Sequence, residues 1–195
     1  MRVAKIIPEV FQEYKNEISL GICCALCNFR CSFCHSKGFI YDPDKWLKES
    51  VNNLLIDNLN PLHTAVVLSG GEPTVWGKDL IGLIEIIKSF KLKVKIFSNA
   101  FNCDIIAYCN EFKMVDMYSF DIKAAKDVKK VIESDISDDE YLYKISKSFD
   151  SCIEHNIPFE FRVTKYPGIE IEPIKEFLKK YPQIPIFWQD YVEYV

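Results

Sequence analysis

Long apolar runs, internal repeats and an excess of positive charge are all missing from this 195-residue chain. No stretch approaches the roughly 18 apolar residues needed to cross a bilayer, so no spanning helix is predicted. The opening Met1-Arg2-Val3-Ala4-Lys5-Ile6-Ile7-Pro8-Glu9 has too short an apolar segment for a secretory leader. No linker rich in Gly, Ser or Pro divides the chain, which is expected to form one domain over residues 1–195. Lys and Arg number 24 against 28 Asp and Glu, a net charge of −4, which argues against nucleic-acid binding by bulk charge. The setting is expected to be cytoplasmic, without membrane or nucleic-acid partners. A disulfide scaffold is also disfavoured, because nothing else in the sequence looks secreted.

Cysteine is what the chain has in quantity. Five of its eight cysteines lie between Cys23 and Cys34, while Cys103, Cys109 and Cys152 are scattered. A tight cluster in a reducing compartment points to metal or catalysis.

The hydrophobic pattern alternates between two periods. Short apolar or period-two segments at 18–25, 64–68, 92–98, 114–122, 158–164 and 184–189 read as strands. Between them, apolar residues recur at helical spacing. The first such set is Leu47, Val51, Leu54, Leu55 and Leu59, with Asp42 or Asp44 as its cap. The second is Leu80, Leu83, Ile84, Ile87 and Phe90. Further helices are predicted over 104–112, 138–155 and 173–181. The charged stretch from Lys123 to Glu140 reads as a solvated face. Six strands alternating with five helices imply parallel strands and right-handed crossovers. An open doubly wound sheet and a barrel both satisfy this. Because a full eight-fold barrel usually needs about 250 residues, an incomplete (β/α)6 parallel barrel fits the length better. Either architecture puts chemistry at the C-terminal ends of the strands.

Directly after the first predicted strand stands Cys27-Asn28-Phe29-Arg30-Cys31-Ser32-Phe33-Cys34-His35. Three thiolates at C-x-x-x-C-x-x-C spacing can converge on one inorganic centre, and thiolates select zinc, copper(I) or iron–sulfur. Cys24 could complete a zinc set of four, although its two short arms lack the usual intervening loop. A cubane held by three thiolates leaves one iron open, as catalysis requires. Buried, inert cysteines are the plain alternative. Cys23 and Cys24, adjacent on a strand, are read as core.

CxxxCxxC with an aromatic, Phe33, before its last Cys resembles the signature of the radical S-adenosylmethionine (SAM) superfamily. That superfamily also carries a glycine-rich turn after the second strand, and Ser69-Gly70-Gly71-Glu72-Pro73-Thr74 stands there. Later strand ends are similar as well: Phe97-Ser98-Asn99-Ala100, Ser119-Phe120-Asp121-Ile122-Lys123-Ala124, the segment 159–164 and Phe187-Trp188-Gln189. The set most resembles activating enzymes of glycyl radical enzymes, closest to the anaerobic ribonucleotide reductase activating protein. Leu26 and Ala100 depart from it where glycine is common, and Lys165 and Tyr166 do not follow its usual sequence.

The resemblance implies a [4Fe–4S] cluster on Cys27, Cys31 and Cys34, with S-adenosylmethionine on the open iron. Electron transfer into the sulfonium would give a 5′-deoxyadenosyl radical that abstracts hydrogen. Phe33, Gly70, Gly71, Glu72, Ser98, Asn99, Asp121, Lys123, Arg162 and Gln189 are the implied cofactor contacts. Glu72 would accept from the ammonium group, Asp121 and Lys123 would meet ribose and carboxylate, and Arg162 a cofactor carboxylate. The implied partners are a glycyl radical enzyme, foremost the anaerobic ribonucleotide reductase large subunit, and an electron donor such as flavodoxin or ferredoxin. Two other readings are open: a compact radical SAM enzyme acting on a small molecule, like the 7-carboxy-7-deazaguanine synthases, and a non-enzymatic zinc or iron–sulfur binding module.

Overall fold

The computed structural model describes residues 1–46 and 50–192. Its strands β1 (Val3–Val10), β2 (Ser19–Cys24), β3 (Ala65–Gly70), β4 (Lys93–Ser98), β5 (Met117–Asp121), β6 (Phe159–Lys165) and β7 (Ile186–Asp190) form one sheet in sequence order. From β2 to β7 every neighbour is parallel, and β1 runs antiparallel to β2. The crossovers carry α2 (Val51–Asn58), α3 (Lys78–Ser89), α4 (Cys103–Glu111), α5 (Val128–Ile132) with α6 (Asp138–His155), and α7 (Ile171–Leu178). A short α1 (Lys37–Tyr41) lies in the loop after β2. Among the described residues β1 and β7 are the two edges of the sheet and do not pair with each other, so the parallel strands form an incomplete (β/α)6 barrel.

The helices follow from their patterns. In α3, Leu80, Leu83, Ile84 and Ile87 are all buried, and they pack with Val66, Leu68, Val94 and Ile96 of the sheet in one core. In α6, Ser137 accepts from the Glu140 amide, three acids fill the first turn, and Asn156 closes the helix in a left-handed conformation. These are the start and stop signals a helix needs. Its Tyr141, Ile145, Phe149 and Cys152 are buried as their spacing predicts.

The inner face of the sheet is more polar than the outer. On β4, Lys95 is 3% exposed and pairs with Glu160 of β6 at 3.0 Å. Its ammonium lies between the rings of Tyr14 and Phe97, and Ser119 of β5 donates to the same carboxylate.

Three expectations need correction. Among the described residues there are seven strands, not six: Pro8 and a broken alternation hide β1 in the sequence. An edge strand tolerates both, and Pro8 O receives the buried His63 ring at 2.6 Å. The first predicted helix begins at Val51 after Ser50, not at Asp42 or Asp44, and Leu47 lies outside the described residues. The stretch 123–140 is not simply a solvated face: it contains α5, whose Val128 and Ile132 are buried.

Candidate active site

The loop after β2 carries the three cysteines, and its own backbone holds it in shape. The Arg30 guanidinium donates to Cys27 O (2.7 Å) and Phe29 O (2.9 Å). Arg30 N and Ser32 N donate to Ile132 O and Val131 O of α5. Phe29 is buried against Phe101 and Tyr141. The loop is thus clamped from outside by the small helix that the sequence did not reveal.

Next to it runs the Gly70-Gly71-Glu72 turn. Gly71 N donates to Cys24 O and Glu72 N to Leu26 O, each at 2.8 Å. A Cβ on Gly71 would collide with Leu26 O, and one on Gly70, at φ +104°, with the Cys24 backbone. Two glycines are therefore required for the turn to lie against the cysteine loop. Leu26 (φ 72°) and Ala100 (φ 62°) themselves adopt left-handed backbone. Those are the two positions where the sequence departs from glycine.

Glu72, 1% exposed, joins the ends of β3 and β4. Its Oε1 accepts from Thr74 N (3.1 Å), Thr74 Oγ1 (2.6 Å) and Ser98 Oγ (2.8 Å), and its Oε2 from Asn99 N (2.7 Å). Burial pushes its carboxyl up, and these donors oppose the shift. Asn99 Nδ2 reaches on to Asn28 Oδ1 at 2.7 Å. Glu72, Ser98 and Asn99 are therefore engaged with one another and with the cysteine loop, although all three line the cavity.

At the end of β5, Lys123 Nζ donates to Asp121 Oδ2 at 2.5 Å and lies over the Phe33 ring. Burial would push the Lys123 ammonium down, but the Asp121 carboxylate beside it holds it well above its usual range. Asp121 Oδ1 is buried with no partner. Phe33 stacks on Tyr166 with centroids 3.9 Å apart, and Tyr166 donates to Lys123 O. The His35 ring meets Tyr191 edge-on.

Together these residues enclose a cavity of about 370 Å³ at the C-terminal ends of the strands. Cys27, Cys31, Cys34, Phe33, Gly70, Gly71, Glu72, Ser98, Asn99, Asp121, Lys123 and Gln189 all line it. Arg162 does not. It lines a second cavity of about 450 Å³, which shares Ser69 and Phe97 with the first, and its Nη1 donates to Glu13 Oε2 at 2.8 Å. Sequence reasoning missed the support that Tyr166, Tyr141, Arg30 and Asn28 give around the cavity, since a single side chain carries no signal until the fold brings its partners together.

Among the described residues, no three His, Cys, Asp or Glu side chains converge on a point fit for a single metal ion. The three loop thiols instead line one cavity, which suits a polynuclear centre with each sulfur on its own iron. Burial pushes the Cys27 thiol up to about 12 and Cys31 up to about 11, so both must release protons to ligate.

A parallel partial barrel thus presents three thiols in one cavity at its strand ends, a donor set for an inorganic centre. The profile of the Radical SAM superfamily matches residues 22–181, and the chain belongs to that superfamily. It accordingly takes a [4Fe–4S] cluster and S-adenosylmethionine. It is similar to a protein of Methanocaldococcus jannaschii named as an inferred glycyl-radical enzyme activating enzyme, with 27% identity over 172 residues, 86% of this chain and 71% of that one. Among solved structures it resembles anSMEcpe with bound AdoMet and a Kp18Cys peptide (TM-score 0.65, 15% identity, 90% of this chain, 51% of that one). It also resembles TYW1 with a lysine-pyruvate adduct (TM-score 0.59, 16% identity, 90% of this chain, 65% of that one). The chain spans about half the length of the anSMEcpe structure, and at these identities the likeness concerns the fold.

Proposed function

We propose that this protein activates a glycyl radical enzyme by removing a hydrogen atom from a glycine Cα of its partner. The observation that carries this reading is the extended similarity to the M. jannaschii protein. The barrel's open side supports it, because a protein segment needs lateral access that an eight-fold barrel would close. The anaerobic ribonucleotide reductase large subunit is the proposed partner, with a flavodoxin or ferredoxin as electron donor. The second cavity, sized for a small molecule, favours an alternative: a radical SAM enzyme acting on a small substrate.

The residues fit the cofactors. Cys27, Cys31 and Cys34 would hold the cluster. When bound, the cluster and S-adenosylmethionine together supply reductive cleavage of the sulfonium carbon–sulfur bond. The bare backbone at Gly70 and Gly71 leaves room for close approach, and Glu72 keeps that turn in place through its four donors. The unpartnered Asp121 Oδ1 is an acceptor for a ribose hydroxyl. Lys123, held cationic by Asp121, would face a carboxylate. Phe33, stacked on Tyr166, would supply an apolar wall against water beside the reacting region. Arg162, which lines the second cavity, is given no cofactor contact in this reading.

The test is anaerobic. The reconstituted, reduced protein is mixed with S-adenosylmethionine and the ribonucleotide reductase large subunit, and EPR is recorded alongside a 5′-deoxyadenosine assay. A glycyl radical doublet matched by 5′-deoxyadenosine is the expected result. 5′-Deoxyadenosine without a doublet, across a set of glycyl radical enzymes, would turn the reading to a small substrate.

A further inference from the structure

We propose that Arg162 is a substrate-binding residue that recognises a carboxylate, and that Glu13 is its internal stand-in while substrate is absent. The proposal builds on the radical SAM reading of the first cavity and names the chemistry of what enters beside it.

Four observations lead there. First, the second cavity adjoins the first through Ser69 and Phe97, so a group bound in it lies next to the cofactor cavity. Second, Arg162 is fixed in β6, its guanidinium 4.8 Å from the Phe97 ring centroid. A planar guanidinium braced on an aromatic face is pre-organised for a planar carboxylate. Third, only Nη1 is bonded to Glu13, and the buried Nε has no partner, so the cation has unused donor capacity. A buried donor left unmade is costly. Fourth, the pair is asymmetric. Arg162 is 21% exposed and strand-bound, whereas Glu13 is 43% exposed on a bend between β1 and β2. Ion pairs that reach solvent hold their partners weakly, so an incoming carboxylate can displace Glu13 while Arg162 stays in place. Glu9, Val10, Phe11 and Gln12 of the same segment line the cavity, and Phe11 is exposed beside it.

The test uses the full chain, loaded with cluster and S-adenosylmethionine under anaerobic conditions. Calorimetry measures the binding of N-acetyl-glutamyl-glycinamide, its neutral glutaminyl twin, and glutarate. Glu13→Gln should tighten binding of an acidic probe at least fivefold over wild type and leave the neutral twin unchanged. Glu13→Gln/Arg162→Gln should lose that gain entirely. Arg162→Lys, which keeps the charge but not the fork, should fall between and guards against misfolding of the glutamine variant. A gain for glutarate alone would mark a small molecule as the source of the carboxylate; a gain for the peptide as well, a protein segment. No gain in Glu13→Gln, an equal gain for the neutral twin, or a gain that survives loss of Arg162 would overturn the proposal. If the acidic probes bind as expected but no glycyl radical enzyme gives a doublet, the activase reading fails and this one stands.

Discussion

Glu72 accepts from Thr74 N, Thr74 Oγ1, Ser98 Oγ and Asn99 N, and all four bonds are buried. Glu72→Gln keeps the shape but replaces one acceptor with an amide that must face a donor. It should destabilise the cluster-free protein by about 1–3 kcal/mol, read as a lowered urea midpoint. An unchanged midpoint would mean that Glu72 serves the cofactor alone. The cysteines divide just as clearly. Cys27→Ala, Cys31→Ala and Cys34→Ala should each lose iron and sulfide after reconstitution. Cys103→Ala and Cys109→Ala, which sit on α4 away from the cavity, should retain both. Iron loss in either of the latter would refute the ligand assignment.

At the scale of the elements, β4 and β6 are joined across the lumen by Lys95 and Glu160, both largely buried. Removing one partner leaves the other charge uncompensated. Glu160→Ala should cost about 3–5 kcal/mol, while Lys95→Met/Glu160→Met should recover most of that loss. Chemical denaturation of the single and double variants measures both. A double variant as unstable as the single would show that the network, not the lone charge, carries the effect. The lumen strands differ here from the outer layer, where Val66, Leu68, Val94 and Ile96 pack against helices. The period-two alternation of β4 announces a strand but not that its lysine faces inward.

For the molecule as a whole, the cysteine-lined cavity links the ends of every strand from β2 to β7 through their loops. Binding there should therefore stabilise the entire sheet. S-adenosylmethionine at about 100 times its Kd should add about 2.7 kcal/mol to the cluster-loaded protein, a rise in Tm of about 5–10 °C. Anaerobic calorimetry with and without the cofactor checks this, and an unmoved Tm would count against binding in this cavity. No helix among the described residues is long and apolar enough to cross a membrane.

The sequence by itself determined what depends on local order along the chain: the parallel strands of the incomplete barrel, its main helices, the C-x-x-x-C-x-x-C loop and the two-glycine turn. Period, cap residues and short-range spacing carry those, since each is a matter of neighbours within a few residues. Tertiary structure alone decided what depends on distant segments meeting. It added β1 through pairing with β2, clamped the cysteine loop with α5, stacked Tyr166 on Phe33 and turned Lys95 toward Glu160. It also paired Arg162, in the second cavity, with Glu13, 149 positions away in the chain. A charge in an apolar strand signals a partner in the sequence, but only the folded sheet shows which one.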